Sequence, residues 1–203
     1  MRVVHIVPTA FNYFDDIRNA VFKIVDGLQE KGVSQEIFTL QYSEPEKNNL
    51  EEIKKISPKR NYGGARPLAE SFEDLASFDL VHFHVPFLGA GKALLMWRQK
   101  FKDVPLITSY YRKVLLVDLL SIFISLYNNY FLKKMIPISD VVTTFAGQGD
   151  FLHNYARKIA LKNKINFLFQ PLTKFDDKVQ LNLSDDDLKT AIEFYFELYS
   201  CFK

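Results

Sequence analysis

Short runs of β-branched and aromatic residues alternate along this chain with amphipathic helical patterns, and this alternation constrains the fold more than any other feature. Val3 to Val7 is a β-rich run ended by Pro8. It lacks the polar alternation of a strand facing water, so it reads as a central parallel strand. Ile17, Ala20, Val21, Ile24, Val25 and Leu28 then recur at three- and four-residue steps, and Gly32 stands where such a helix would end. The alternation continues with a strand over Ile37 to Leu40, a polar helix over Leu50 to Ile56 and a loop carrying Pro58, Gly63, Gly64 and Pro67. Further strands are expected at Leu80 to His84, Leu106 to Ser109, Val141 to Phe145 and Ile165 to Phe169. Helices are expected over Lys92 to Phe101 and Asp150 to Leu161. Strands separated by helices at this spacing imply right-handed crossovers and a parallel sheet. The fold class is therefore α/β, a Rossmann-like parallel sheet flanked by helices.

The last segment reads differently. Pro171 to Leu183 looks like a connector, after which Ser184 caps a helix with Asp185, Asp186 and Asp187 in its first turn. Leu188, Ala191, Ile192, Tyr195, Phe196 and Tyr199 form an apolar stripe that requires a partner surface. The domain before it is the nearest candidate. The expected organisation is residues 1–172 as one Rossmann-like domain, with residues 173–203 as a connector and helix belonging to it.

Composition excludes other classes. Of the 203 residues, 48% are hydrophobic and 25% charged, as in globular chains rather than disordered ones. The formal charge of +2, without a basic block, gives no electrostatic footprint for nucleic acid, and no nucleic-acid partner is expected. Cys201 is the only cysteine, so no intrachain disulfide forms, and Met1-Arg2-Val3-Val4 runs straight into a strand pattern. A cytoplasmic location is expected. The apolar stretch Val114 to Leu132 is interrupted by Asp118, Asn128 and Asn129, which argues against a bilayer crossing. It reads as a buried helix or as one lying on a membrane surface, with Arg112, Lys113, Lys133 and Lys134 at its ends.

In open α/β sheets ligands bind outside the carboxyl ends of the strands, so the informative loops begin at Pro8, Val85, Tyr110 and Ala146. The first holds Thr9, Asn12 and Tyr13, followed by Asp15 and Asp16 at a helix start, where carboxylates also serve as helix-terminus charges. His82 and His84 lie two apart on a strand and point to one face, but no third metal ligand is evident, since His5 and His153 have no ligand spacing. No metal and no cofactor are expected. His84, nearest the loop, is the better functional candidate of the pair. Glycine-rich dinucleotide, phosphate-loop and nucleophile-elbow motifs are absent from the sequence.

Three pieces in order, MRVVHIVP with EKGVSQEIFTL, then FDLVHFHVPF, then VPLITSYYRKV followed by SDVVTTFAG, resemble the N-terminal domain of GT-B-fold glycosyltransferases of family 4. The resemblance covers residues 1–172. It implies a nucleotide-sugar donor, an acceptor held mainly by this domain and no required metal. Asp15-Asp16 stands where many members carry a Gly-Gly pair, Tyr111 where a histidine is frequent, and Ala146 where a serine is frequent. The resemblance also implies a second, donor-gripping domain that these residues do not include. The expected function is that of an acceptor-side domain in sugar transfer from a nucleotide sugar to a glycan or lipid-linked acceptor, working with a donor-binding subunit. Tyr111 and His84 are its candidate catalytic residues, and Thr9, Asn12, Asp15, Asp16, Tyr110 and Arg112 its candidate substrate-binding residues. The alternative is a catalytically silent binding or assembly protein of the same fold, favoured by Asp15, Asp16 and Tyr111.

Overall fold

A computed structural model describes residues 1–8, 15–40, 53–56, 74–87, 91–111, 130, 132–145, 151–170, 181 and 183–202. Among the described residues there are seven strands: β1 (Arg2–Val7), β2 (Ser34–Leu40), β3 (Ile53–Ile56), β4 (Leu80–Val85), β5 (Leu106–Tyr110), β6 (Val141–Phe145) and β7 (Asn166–Gln170). The helices are α1 (Asp15–Glu30), α2 (Gly91–Lys100), α3 (Leu132–Met135), α4 (Phe151–Lys162) and α5 (Asp185–Ser200). The strands form one sheet in the order β3-β2-β1-β4-β5-β6-β7, with every neighbouring pair parallel. The expected α/β architecture is what the chain adopts.

Local sequence explains most element boundaries. The six residues that predicted the inner face of α1 are the six it buries. Gly32 ends that helix at φ +83°, a conformation glycine adopts without a Cβ penalty, and the next amide, Val33 N–H, closes back on Leu28 O at 3.1 Å. Ser184 caps α5 by accepting from Asp187 N–H at 3.2 Å. One expectation fails: the polar stretch read as a helix over Leu50 to Ile56 contains β3, which extends the sheet beyond β2 in parallel register from Ile37↔Ile53 to Leu40↔Ile56. Pairing to an open sheet edge overrides a weak helical period there. The long apolar stretch falls mostly on residues 112–129 and 131, outside the described residues. Among the described residues no helix is long and apolar enough to cross a membrane.

The order of strands reverses between β1 and β4, where the chain first runs outward through β2 and β3 and then returns to build the other half. Both strands are buried along their length apart from Arg2. Helix α5 lies against α1 and joins the same core. The fit at Gly27 is close, since a Cβ added there would stand 2.2 Å from Ile192 Cδ1. Lys31 and Glu193 bridge the two helices at 2.6 Å, and Asp16 Oδ2 accepts from Leu181 N–H at 2.7 Å just before α5 begins.

Candidate functional site

Parallel pairing brings His5 opposite His82, and His84 follows two residues later, so three imidazoles share one face across the strand pair where the order reverses. All three are essentially inaccessible to solvent. Gln35 of β2, Ser109 of β5 and Thr143 of β6 are buried with them, and Tyr195 and Tyr199 of α5 reach down onto the same layer. This buried sheet face therefore carries a polar stratum.

Chemistry fixes the direction of its hydrogen bonds. Val25 O only accepts, so the Gln35 amide nitrogen faces it at 2.9 Å and Gln35 Oε1 must accept from His5 Nε2–H at 2.6 Å. Burial lowers the His5 pKa to about 4 against the opposing pull of Gln35, so the ring is neutral and its Nδ1 is bare. That nitrogen accepts from His84 Nε2–H at 3.0 Å, and His84 Nδ1 in turn accepts the Tyr111 hydroxyl proton at 2.8 Å. Burial, then the neighbouring His5, hold the His84 pKa well below its usual value. Burial, then Tyr195 and Tyr199, push the Tyr111 phenol well above 10. The Tyr111–His84 pair thus rests as phenol and neutral imidazole at neutral pH.

A second branch runs through His82. Its Nδ1 meets the Tyr199 hydroxyl and its Nε2 meets Ser109 Oγ at 2.6 Å. Ser109 Oγ also contacts Thr143 Oγ1 at 2.6 Å and the Tyr195 hydroxyl at 2.7 Å. Hydroxyls donate or accept, so either tautomer of His82 is served. Burial first, then His84 and His5, lower the His82 pKa.

The sequence candidates divide accordingly. Tyr110 ends β5, and Tyr111 extends its pairing through Tyr111 N–H to Val85 O at 2.9 Å, so Tyr111 stands at the carboxyl edge of the sheet. Tyr111 and His84 meet, and they are only 3% and 1% exposed. Asp15 and Asp16 lie apart from them on α1, beside a cavity of about 450 Å³ lined also by Asn19, Lys23, Leu181 and Leu183. Asp15 pairs with Arg18 at 3.1 Å, while Asp16 holds the Leu181 amide. Thr9, Asn12 and Arg112 lie outside the described residues. Sequence spacing missed His5, Gln35, Tyr195 and Tyr199. The available signal was polar residues at alternate positions in otherwise apolar strands, facing tyrosines inside an apolar helical stripe.

No family model and no curated protein matches this chain. Solved structures do. One is an alpha-glucosyltransferase in complex with UDP and a 13-mer DNA containing a central A:G mismatch, 11% identical, with a TM-score of 0.53 over 86% of this chain and 42% of that one. A second, in complex with UDP and a 13-mer DNA containing a HMU base, is 10% identical with a TM-score of 0.55 over 85% of this chain and 43% of that one. A third, an alpha-glucosyltransferase in complex with UDP, is 10% identical with a TM-score of 0.52 over 91% and 42%. This is a GT-B-like glycosyltransferase fold. The chain spans less than half the length of the glycosyltransferases it matches, and the likeness is to the GT-B fold at large rather than to family 4. It also corrects one expectation. Net charge gave no reason to expect nucleic acid, yet two of these neighbours hold DNA, so a charge of +2 does not exclude nucleic acid from a fold of this kind.

Proposed function

We propose that this chain is the acceptor-side half of a GT-B-type glycosyltransferase, residues 1–172 forming the Rossmann-like unit and residues 173–203 belonging to it. The observation that carries the reading is the parallel sheet whose order reverses between β1 and β4, superposable over 85–91% of the chain on glycosyltransferases solved with UDP. The reaction is sugar transfer from a nucleotide sugar to a glycan or lipid-linked acceptor. The donor is held by a second half, on whichever polypeptide that half lies. Ligands of such sheets sit beyond the carboxyl ends of the strands, where Tyr110 and Tyr111 end β5. Thr9, Asn12, Asp15, Asp16, Tyr110 and Arg112 contact substrate in this reading. Tyr111 accepts the acceptor's hydroxyl proton as it passes its own to His84 Nδ1, so the charge left in the protein is an imidazolium.

A second reading, a catalytically silent binding protein, is favoured by the burial and full hydrogen bonding of that pair. A ring held neutral by burial resists taking the proton. The two are separated by incubating the purified chain with nucleotide sugars, with and without candidate donor halves, against glycan, lipid-linked and DNA acceptors. Transfer that needs a second half, and that falls by roughly 10²-fold or more in Tyr111→Phe and His84→Gln as loss of acid–base catalysis requires, supports the enzyme. Donor or acceptor binding without transfer in any pairing supports the silent protein.

A further inference from the structure

We propose that His5, His82 and His84 form a binding site for a transition-metal ion of the zinc class. One ligand nitrogen from each ring lies within 4.8 Å of the others. The set contains imidazoles and no carboxylate, which suits zinc, copper or nickel rather than magnesium or calcium. The third ligand that sequence spacing cannot supply comes from strand register, which sets His5 against His82.

The geometry is close to what an ion needs. His5 Nδ1 and His84 Nε2 are 3.0 Å apart and share one proton. Two nitrogens bound tetrahedrally at ~2.0–2.1 Å stand roughly 3.4 Å apart, so an ion replaces that proton once the rings part by about 0.4 Å and turn until both lone pairs meet beside the line that joins them. His82 swings further and exchanges one hydroxyl partner, Ser109 or Tyr199, for the ion. The displaced proton stays in the protein: it leaves His84 Nε2, settles on Nδ1 and is donated to the Tyr111 oxygen, whose own hydroxyl proton turns away from the ring. No side chain changes charge, and because His84 Nδ1 then donates to Tyr111 instead of accepting from it, the loaded state and the proton relay of the enzyme reading exclude one another. His5 keeps its Nε2–H on Gln35 Oε1. The outer nitrogens of His5 and His84 already face oxygens, the arrangement that orients metal-bound imidazoles.

Burial disfavours protonating any of these rings because the charged form loses its hydration. An ion at the centre engages three lone pairs together. Tyr195 and Tyr199 cover the layer, so loading is coupled to folding.

The test refolds the full chain from urea with Co²⁺ or Zn²⁺, followed by removal of loose metal. The expected result is one ion per chain, visible absorption of histidine-bound cobalt and a raised Tm, all retained in Cys201→Ser and lost in His5→Gln and His84→Gln. Should those variants fail to fold, nitrogen-15 spectra of the unaltered chain decide: Zn²⁺ moves the His84 proton from Nε2 to Nδ1. A colourless cobalt sample with His84 still protonated on Nε2 in excess zinc overturns the proposal. Undiminished uptake by folded His5→Gln and His84→Gln also overturns it, because the metal would then be held elsewhere.

Discussion

The hydroxyl of Tyr199 in the last helix hydrogen-bonds Nδ1 of His82 in the fourth strand, across 117 residues of sequence. This contact makes α5 part of the polar layer rather than an appendage to it. Burial, then Tyr195, raise the Tyr199 pKa well above 10, so the phenol stays protonated. Tyr199→Phe keeps the ring's packing and leaves one nitrogen of His82 without its partner. The expected loss is about 1–3 kcal/mol in urea unfolding. An unchanged midpoint and slope would show that the contact contributes nothing.

Gln35 sets the proton order of the first branch. In metal-free protein, His5 is expected as the Nε2–H tautomer and His84 likewise, each readable from long-range nitrogen-15 correlations. Gln35→Leu leaves His5 Nε2–H unsatisfied in the core, at a cost of about 1–3 kcal/mol. The inverse tautomer of His5 in the unaltered chain contradicts the assignment.

Acid stability follows from the same rings. His5 titrates at about 4 in the fold, below its ordinary 6.5, so the unfolded chain takes up protons first as pH falls. Its contribution is complete above about pH 6.5 and is lost as pH falls from there through about 4, amounting to about 2 kcal/mol at pH 5. His82 and His84 shift in the same direction and add to the loss. Urea unfolding at pH 7 and pH 5 measures it, and equal stability at the two values would falsify the neutral-histidine core.

Gly27 is a spacing residue between α1 and α5. Gly27→Ala improves helix propensity by about 1 kcal/mol, yet its methyl would meet Ile192 Cδ1 at 2.2 Å. Overpacking costs about 1–3 kcal/mol, so the substitution is expected to destabilise. Adding Ile192→Ala removes the clash, and the double-mutant cycle should show the second change costing less in the alanine background than alone. Strict additivity would mean that α5 shifts freely.

Six strands of the sheet, the inner face of α1, its glycine terminus and the Ser184 cap are legible because each is written in local periodicity or capping chemistry. β3 is not, because Ile53–Ile56 becomes a strand through its neighbour β2 rather than through its own pattern. The site was half legible. His84 and Tyr111 could be placed together from their loops, whereas His5 enters through register and the two tyrosines through the packing of α5, and neither is a local property. The carboxylates at the start of α1 are legible as helix-terminus charges or substrate contacts, whereas the Leu181 amide that Asp16 accepts from lies 165 residues away and is not.

His5 comes from the first strand and Tyr199 from the last helix, and their ring centres lie 6.2 Å apart. The histidines of the sheet therefore gain this cover only when α5 docks on them. Closure of this interior is thus a docking event between distant segments rather than a property of the sheet itself.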